Sequence, residues 1–145
     1  MKIFSTQEFK SEFEKLMRKN SYKYLSDEII SSYFDKNIQD CLDGTKLNGH
    51  SPNPFIKKRL GGSGGARLYL FAVITNESIY FSFIHPKSGS LGYENVTNAK
   101  KTQLLNNVVN CIQNNELYEV SHCEKKQNLI FKLTSKNIIA LKDIK

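Results

Sequence analysis

The stretch from Phe55 to His85 constrains this chain most, because it sets three apolar runs in a row, separated only by turn chemistry. Phe55–Leu60 and residues 66–75 flank Gly61-Gly62-Ser63-Gly64-Gly65, and residues 78–85 follow a turn at Asn76-Glu77. Short runs rich in aromatic and branched residues, bounded by glycine and Asn, predict three antiparallel strands in meander order.

Helical spacing lies on both sides of that meander. After a short strand at Lys2-Ile3-Phe4, Ser5-Thr6-Gln7-Glu8 has the form of a capping box. Phe9, Phe13, Leu16 and Met17 then recur at helical intervals, leaving Lys10, Glu14, Arg18 and Lys19 in water. A second helix is predicted from Ser26-Asp27-Glu28, with Ile29, Ile30, Tyr33, Phe34, Ile38, Cys41 and Leu42 as its apolar side and Gly44 as its cap. Residues 45–54 hold Pro52 and Pro54 and predict an ordered loop. Beyond the meander, residues 97–114 carry Leu104, Leu105, Val108, Val109 and Ile112 at helical spacing, and residues 116–121 and 129–133 form a closing hairpin. The expectation is an α+β fold in which an N-terminal helical hairpin packs on a small antiparallel β-sheet, with a C-terminal helix and β-hairpin extension. At 145 residues the chain suits a single domain spanning 1–145.

The charge is uneven. Of the net +7, residues 1–50 contribute nothing, with 8 basic and 8 acidic side chains, whereas residues 51–110 carry 7 and 2. A local excess of that sign attracts polyanions through steering and counterion release. The three cysteines, Cys41, Cys111 and Cys123, form no CxxC pair, so neither a disulfide framework nor a zinc ribbon is indicated and a reducing cytoplasm is expected. No apolar run reaches the roughly 18 residues that span a bilayer, and residues 1–10 are too polar for a signal-peptide core, so no membrane partner is expected.

The glycine run does not fit a phosphate-binding loop of the Walker type, which needs Lys-Ser/Thr and a helix after its last glycine; here Ala66-Arg67 and a strand follow. It predicts a hairpin loop that a nucleic-acid backbone could approach closely. Strand alternation puts Lys57 and Arg59 on one face and Lys58 on the other, between Ile56 and Leu60. It sets Arg67 and Tyr69 beside Phe71, and His85 beside Phe81 and Phe83. Cations and rings on one sheet face suit RNA, with phosphates on the cations and splayed bases on the rings. The same pattern also describes an ordinary solvated sheet face with edge cations.

Lys57-Lys58-Arg59-Leu60 followed by Ser63-Gly64-Gly65-Ala66-Arg67-Leu68-Tyr69 resembles the RelE/ParE superfamily, the toxins of bacterial type II toxin-antitoxin systems, with RelE-like and HigB-like members. His85-Pro86-Lys87 stands where that family has its terminal basic cluster, and Tyr93 follows Lys87 at the separation of a functional arginine and tyrosine. Lys87 departs from the usual arginine. The resemblance covers residues 1–95 as a core and leaves 96–145 as an extension. It implies a metal-independent, ribosome-dependent mRNA endoribonuclease that blocks translation, with no cofactor. Attack of a ribose 2′-hydroxyl on the adjacent phosphate needs a base, cations for the developing charge and an acid for the leaving oxygen. By the same resemblance Arg67 would bind the scissile phosphate, and Lys57, Lys58, Arg59 and Lys87 would stabilise charge. Tyr93 would serve as base or base-stacking residue, with His85 as a competing acid or base and Tyr69 within the RNA-binding surface. His50, His85 and His122 are widely spaced and suggest no metal site. The implied partners are a cognate antitoxin, mRNA and the ribosome. The alternatives are a ParE-like DNA gyrase inhibitor that binds without catalysis, or a non-catalytic RNA-binding module.

Overall fold

Residues 1–62, 65–87, 96–125 and 128–134 are described by a computed structural model. In chain order its elements are β1 (Lys2–Ser5), α1 (Gln7–Met17), α2 (Tyr24–Tyr33), β2 (Thr45–Lys46), β3 (Phe55–Leu60), β4 (Ala66–Val73), β5 (Ser78–Pro86), α3 (Asn98–Asn114), β6 (Tyr118–Cys123) and β7 (Asn128–Leu133). The fold is α+β, and the strands form one seven-stranded sheet in the order β2-β3-β4-β5-β1-β6-β7. The meander of β3, β4 and β5 is present as the sequence predicts. The sheet is larger than expected because β1 lies parallel to β5 and antiparallel to β6, which joins the closing hairpin to the meander.

Both sheet faces are covered. Phe9, Phe13 and Leu16 of α1 and Leu25 and Ile29 of α2 pack with Leu68, Leu70, Ile79 and Phe81 on one side. On the other, Leu104, Val108 and Ile112 of α3 pack with Phe55, Tyr69, Phe71, Tyr80 and Phe83. A strand covered on two faces loses its polar alternation, and β4 is buried at every position, with Arg67 its one charged residue. The C-terminal segment therefore covers one face of the sheet.

Two sequence expectations shift on inspection. Thr6, not Ser5, caps α1: its Oγ1 accepts from the Phe9 amide at 3.1 Å, and it donates to the Ser82 carbonyl at 3.0 Å. The second helix stops at Tyr33 instead of running to Gly44, because Asp35 turns left-handed at φ 59° and Asn37 recaps a short 3-10 turn by accepting from the Asp40 amide. Ile38 and Cys41 still reach the core from that turn. Among the described residues no helix is long and apolar enough to cross a membrane.

The β3–β4 turn is anchored. Both carboxylate oxygens of Glu28 accept from the Gly61 amide, at 2.9 and 3.0 Å, so this N–H is already committed to an anion of the chain itself. Gly65 passes so close to the Leu60 carbonyl that a Cβ there would overlap it. These glycines are explained by a tight hairpin, and the Glu28 charge beside them disfavours a phosphate.

Candidate functional site

Register brings the predicted cations of the meander into rows. Arg59 pairs with Arg67 and Arg67 with His85, and in the next row Lys57 pairs with Tyr69 and Tyr69 with Phe83. Directly paired residues of antiparallel strands share a face. Two rows thus cross three strands on the α3 side of the sheet. Lys58 pairs with Leu68, whose side chain lies in the α1/α2 core, and its ammonium contacts Asp43 at 3.1 Å. Lys58 is therefore separated from Lys57 and Arg59, as alternation predicts.

His85 reaches this face through an irregularity that alternation does not anticipate. Leu70 pairs with Phe81 and Tyr69 with Phe83, leaving Ser82 as an extra residue in β5. Ser82 donates to the Leu104 carbonyl of α3 at 3.3 Å. Phe81 points the other way, into rings of Phe9 and Tyr33. Hence His85 shares its face with Phe83 but not with Phe81, correcting the sequence expectation; a bulge re-aims the residues after it. Ser82, small and polar inside an apolar strand, is the signal that marks the bulge.

Arg67 is only 6% exposed, and its one hydrogen bond among the described residues runs from Nη1 to the Ala66 carbonyl at 3.3 Å. No carboxylate pairs with Arg67 or Arg59 among those residues. Arg59 is exposed, while Lys57 and Lys87 are half-buried. The Lys87 amide donates to the Gly65 carbonyl at 2.8 Å, fixing the chain beyond β5 against the hairpin. Burial is the largest influence on Lys57 and lowers its pKa, and the Lys101, Arg59 and Arg67 charges lower it further.

His85 is buried beside Tyr69, ring centroids 5.8 Å apart. Burial is the main effect on its pKa and pushes it down; the Pro86 carbonyl opposes this, and the Arg67 and Lys57 charges reinforce it. Nδ1 lies 2.9 Å from the Pro86 carbonyl oxygen. A carbonyl only accepts, so Nδ1 carries the proton and Nε2 holds the lone pair of a neutral imidazole. His85, Phe83 and Pro86 also line a cleft of about 460 Å³ together with Glu12, Lys15 and Leu16 of α1 and Arg18 and Lys19 just beyond it.

Tyr69 is fully buried between Phe55 and Phe83, so in this structure it offers no ring face to a base, and burial raises its pKa. Tyr93 lies outside the described residues. Among the described residues no three His, Cys, Asp or Glu side chains gather as a metal site. The chain matches no protein-family model, no curated protein and no solved structure.

Proposed function

We propose that this chain is an RNA-cleaving toxin of the RelE/ParE type, a metal-independent endoribonuclease acting on mRNA at the ribosome. The observation that carries the reading is Arg67, an arginine buried with no carboxylate partner among the described residues, in a row with Arg59 and His85. Keeping such a cation out of water is costly, and an incoming phosphate is the kind of group that repays it. The resemblance around Lys57–Lys58–Arg59 and Ser63–Arg67 points to the same chemistry.

In this reading Arg67 holds the scissile phosphate and Arg59, Lys57 and Lys87 spread the growing negative charge. His85, neutral with a lone pair on Nε2, would take the 2′ proton as the general base once the arriving strand uncovers its buried ring. That role suits its lowered pKa, since a base must be unprotonated at working pH. A tyrosine base starts from a pKa near 10 and depends on neighbouring cations to act near neutrality. A cognate antitoxin would cover the same basic surface.

The burial of Arg67, His85 and Tyr69 favours one second reading, ParE-like gyrase inhibition through exposed cations without catalysis. The deciding experiment is mRNA cleavage in a translating cell-free extract, with and without ribosomes, comparing the unaltered chain with Arg67→Met, His85→Gln and Tyr93→Phe. Ribosome-dependent cuts lost in Arg67→Met and His85→Gln support the nuclease. Folded protein that makes no cuts but blocks gyrase supercoiling would establish the second reading.

A further inference from the structure

The sheet ends on two edges of unlike kind. β2 is two residues long and β7 is six, and among the described residues no strand lies beyond either. An edge leaves a row of amides and carbonyls unpaired, and natural edges are blunted by shortness, charge or proline. β7 has one charge, Lys132, and no proline. Four large apolar side chains are exposed among the described residues, and three stand on this edge or beside it: Leu133 at 69%, Ile130 at 46% and Tyr24 at 42%. A groove of about 800 Å³ opens there, lined by Phe13 and Met17 of α1, Tyr24 of α2, and Leu129 and Phe131 of β7. Glu14, Lys23 and Asp27 also line it, two carboxylates against one cation, so the groove does not suit a nucleic acid.

Register decides what fits. Leu129 and Phe131 belong to the α1/α2 core, so Leu133, two residues on, points to the same face, while Ile130 and Lys132 point to the other. Set β7 antiparallel to itself about Phe131, and Leu129 meets the partner's Leu133 while Ile130 meets the partner's Lys132. Apolar side chains then oppose one another on the groove side, and no two lysines are opposed. The most exposed of these apolar side chains, Leu133, is brought beside Leu129 in the wall of the partner's groove, and two-fold symmetry makes the fit twice. We propose that two copies of this chain associate through β7, the strands pairing antiparallel about Phe131 into one continuous sheet, with each Leu133 seated in the other copy's groove. The inference stands apart from the RNA reading.

The test follows the mass of the folded full chain by light scattering from about 1 to 100 μM, a range suited to an interface near or below the roughly 800 Å² per partner of standard complexes. The mass is expected to rise with concentration toward twice that of the monomer. Leu133→Asp should weaken the dimer about a hundredfold, because two copies are buried and each leucine is worth roughly tenfold. Leu133→Met should restore it, and at the lowest concentration both variants should keep the urea midpoint of the unaltered chain, since Leu133 is exposed in the monomer. Register is read by mixing Ile130→Cys with Lys132→Cys under oxidised glutathione, which is reduced as the two thiols join. Directly opposed Cα atoms lie about 4.5–5.5 Å apart, within reach of a disulfide. The mixture should cross-link more than either variant alone, and more than the unaltered chain with its own three cysteines. A monomer at every concentration overturns the inference, and amide exchange that finds β7 protected in that monomer would assign the edge to a segment of the same chain. A dimer indifferent to Leu133→Asp, or one without the mixed cross-link, overturns it by placing the contact elsewhere.

Discussion

Replacing Arg67 by Met separates a structural cation from a functional one. The Met side chain keeps the unbranched apolar stem, so most of the packing survives. The replacement gives up a hydrogen bond to the Ala66 carbonyl that is long, at 3.3 Å, and worth at most about 1 kcal/mol. It removes a like-charge cross-strand pair with Arg59, destabilising by about 0.2–1 kcal/mol. It also removes the desolvation of a guanidinium that is only 6% exposed, a penalty of several kcal/mol in protein interiors. The net expectation is that Arg67→Met is more stable by about 2 kcal/mol. With an unfolding entropy near 2.1 cal/mol/K per residue, the 145-residue chain has about 0.3 kcal/mol/K, so Tm should rise by roughly 6–7 °C. Urea and thermal unfolding measure this directly, and raising salt should narrow the gap because it screens the row in the unaltered chain. RNA affinity should fall in the same variant, the trade of stability for function expected of a site. A loss of stability above about 1 kcal/mol in Arg67→Met would refute the reasoning, because it would mean that the fold holds this arginine for its own sake.

The other expectations concern the frame around the row. His85 has its pKa lowered in the fold, so as pH falls below about 6.5 the unfolded chain takes up the proton first. Stability should thus be flat above that pH on account of this group and decline below it, until His85 itself protonates; in His85→Phe, urea midpoints against pH should lose that part of the slope. Thr6→Ala removes the cap on α1 and the bond to Ser82 at a fully buried site, with an expected cost of about 2–3 kcal/mol by urea titration, most of it restored by Thr6→Ser. Gly65→Ala drives a methyl into the Leu60 carbonyl and should cost about 2–3 kcal/mol by the same assay; an unchanged midpoint would show that the turn has another conformation open to it.

The elements of this fold were largely legible, and their assembly was not. The strands at Phe55–Leu60 and Asn128–Leu133 and the helix at Asn98–Asn114 follow from runs whose period and bounding residues are local properties. The second helix overran because Ile38 and Cys41 continue its apolar pattern; periodicity cannot see that Asp35 has turned left-handed and that the pattern resumes on a separate turn. The seven-stranded sheet depends on β1, four residues long, entering between β5 and β6. Pairings so distant in sequence leave no periodic trace, although Lys2 pairs with Ser78 and Ser5 with both Phe81 and Tyr118.

The site shows the same division at finer scale. Strand alternation suffices to place Lys57, Arg59, Arg67 and Tyr69 on one face and Lys58 on the other, because β3 and β4 pair without irregularity. It fails in β5, where counting by twos from Phe81 sends His85 toward α1, whereas Ser82 is bulged and sends it toward α3. One unpaired residue therefore decides whether the imidazole lies among the rings of the α1 core or across from Arg67. The bulge is held from both sides, since the Ser82 carbonyl accepts from Thr6 at the start of α1 while its hydroxyl donates to α3. The cap of the first helix and the placing of the proposed base thus share a single residue, so Thr6→Ala should disturb His85 as well as lower stability. The His85 ring signals in an NMR spectrum are the place to look, and a His85 environment that is unchanged in Thr6→Ala would mean that the α3 bond alone is enough to hold the bulge.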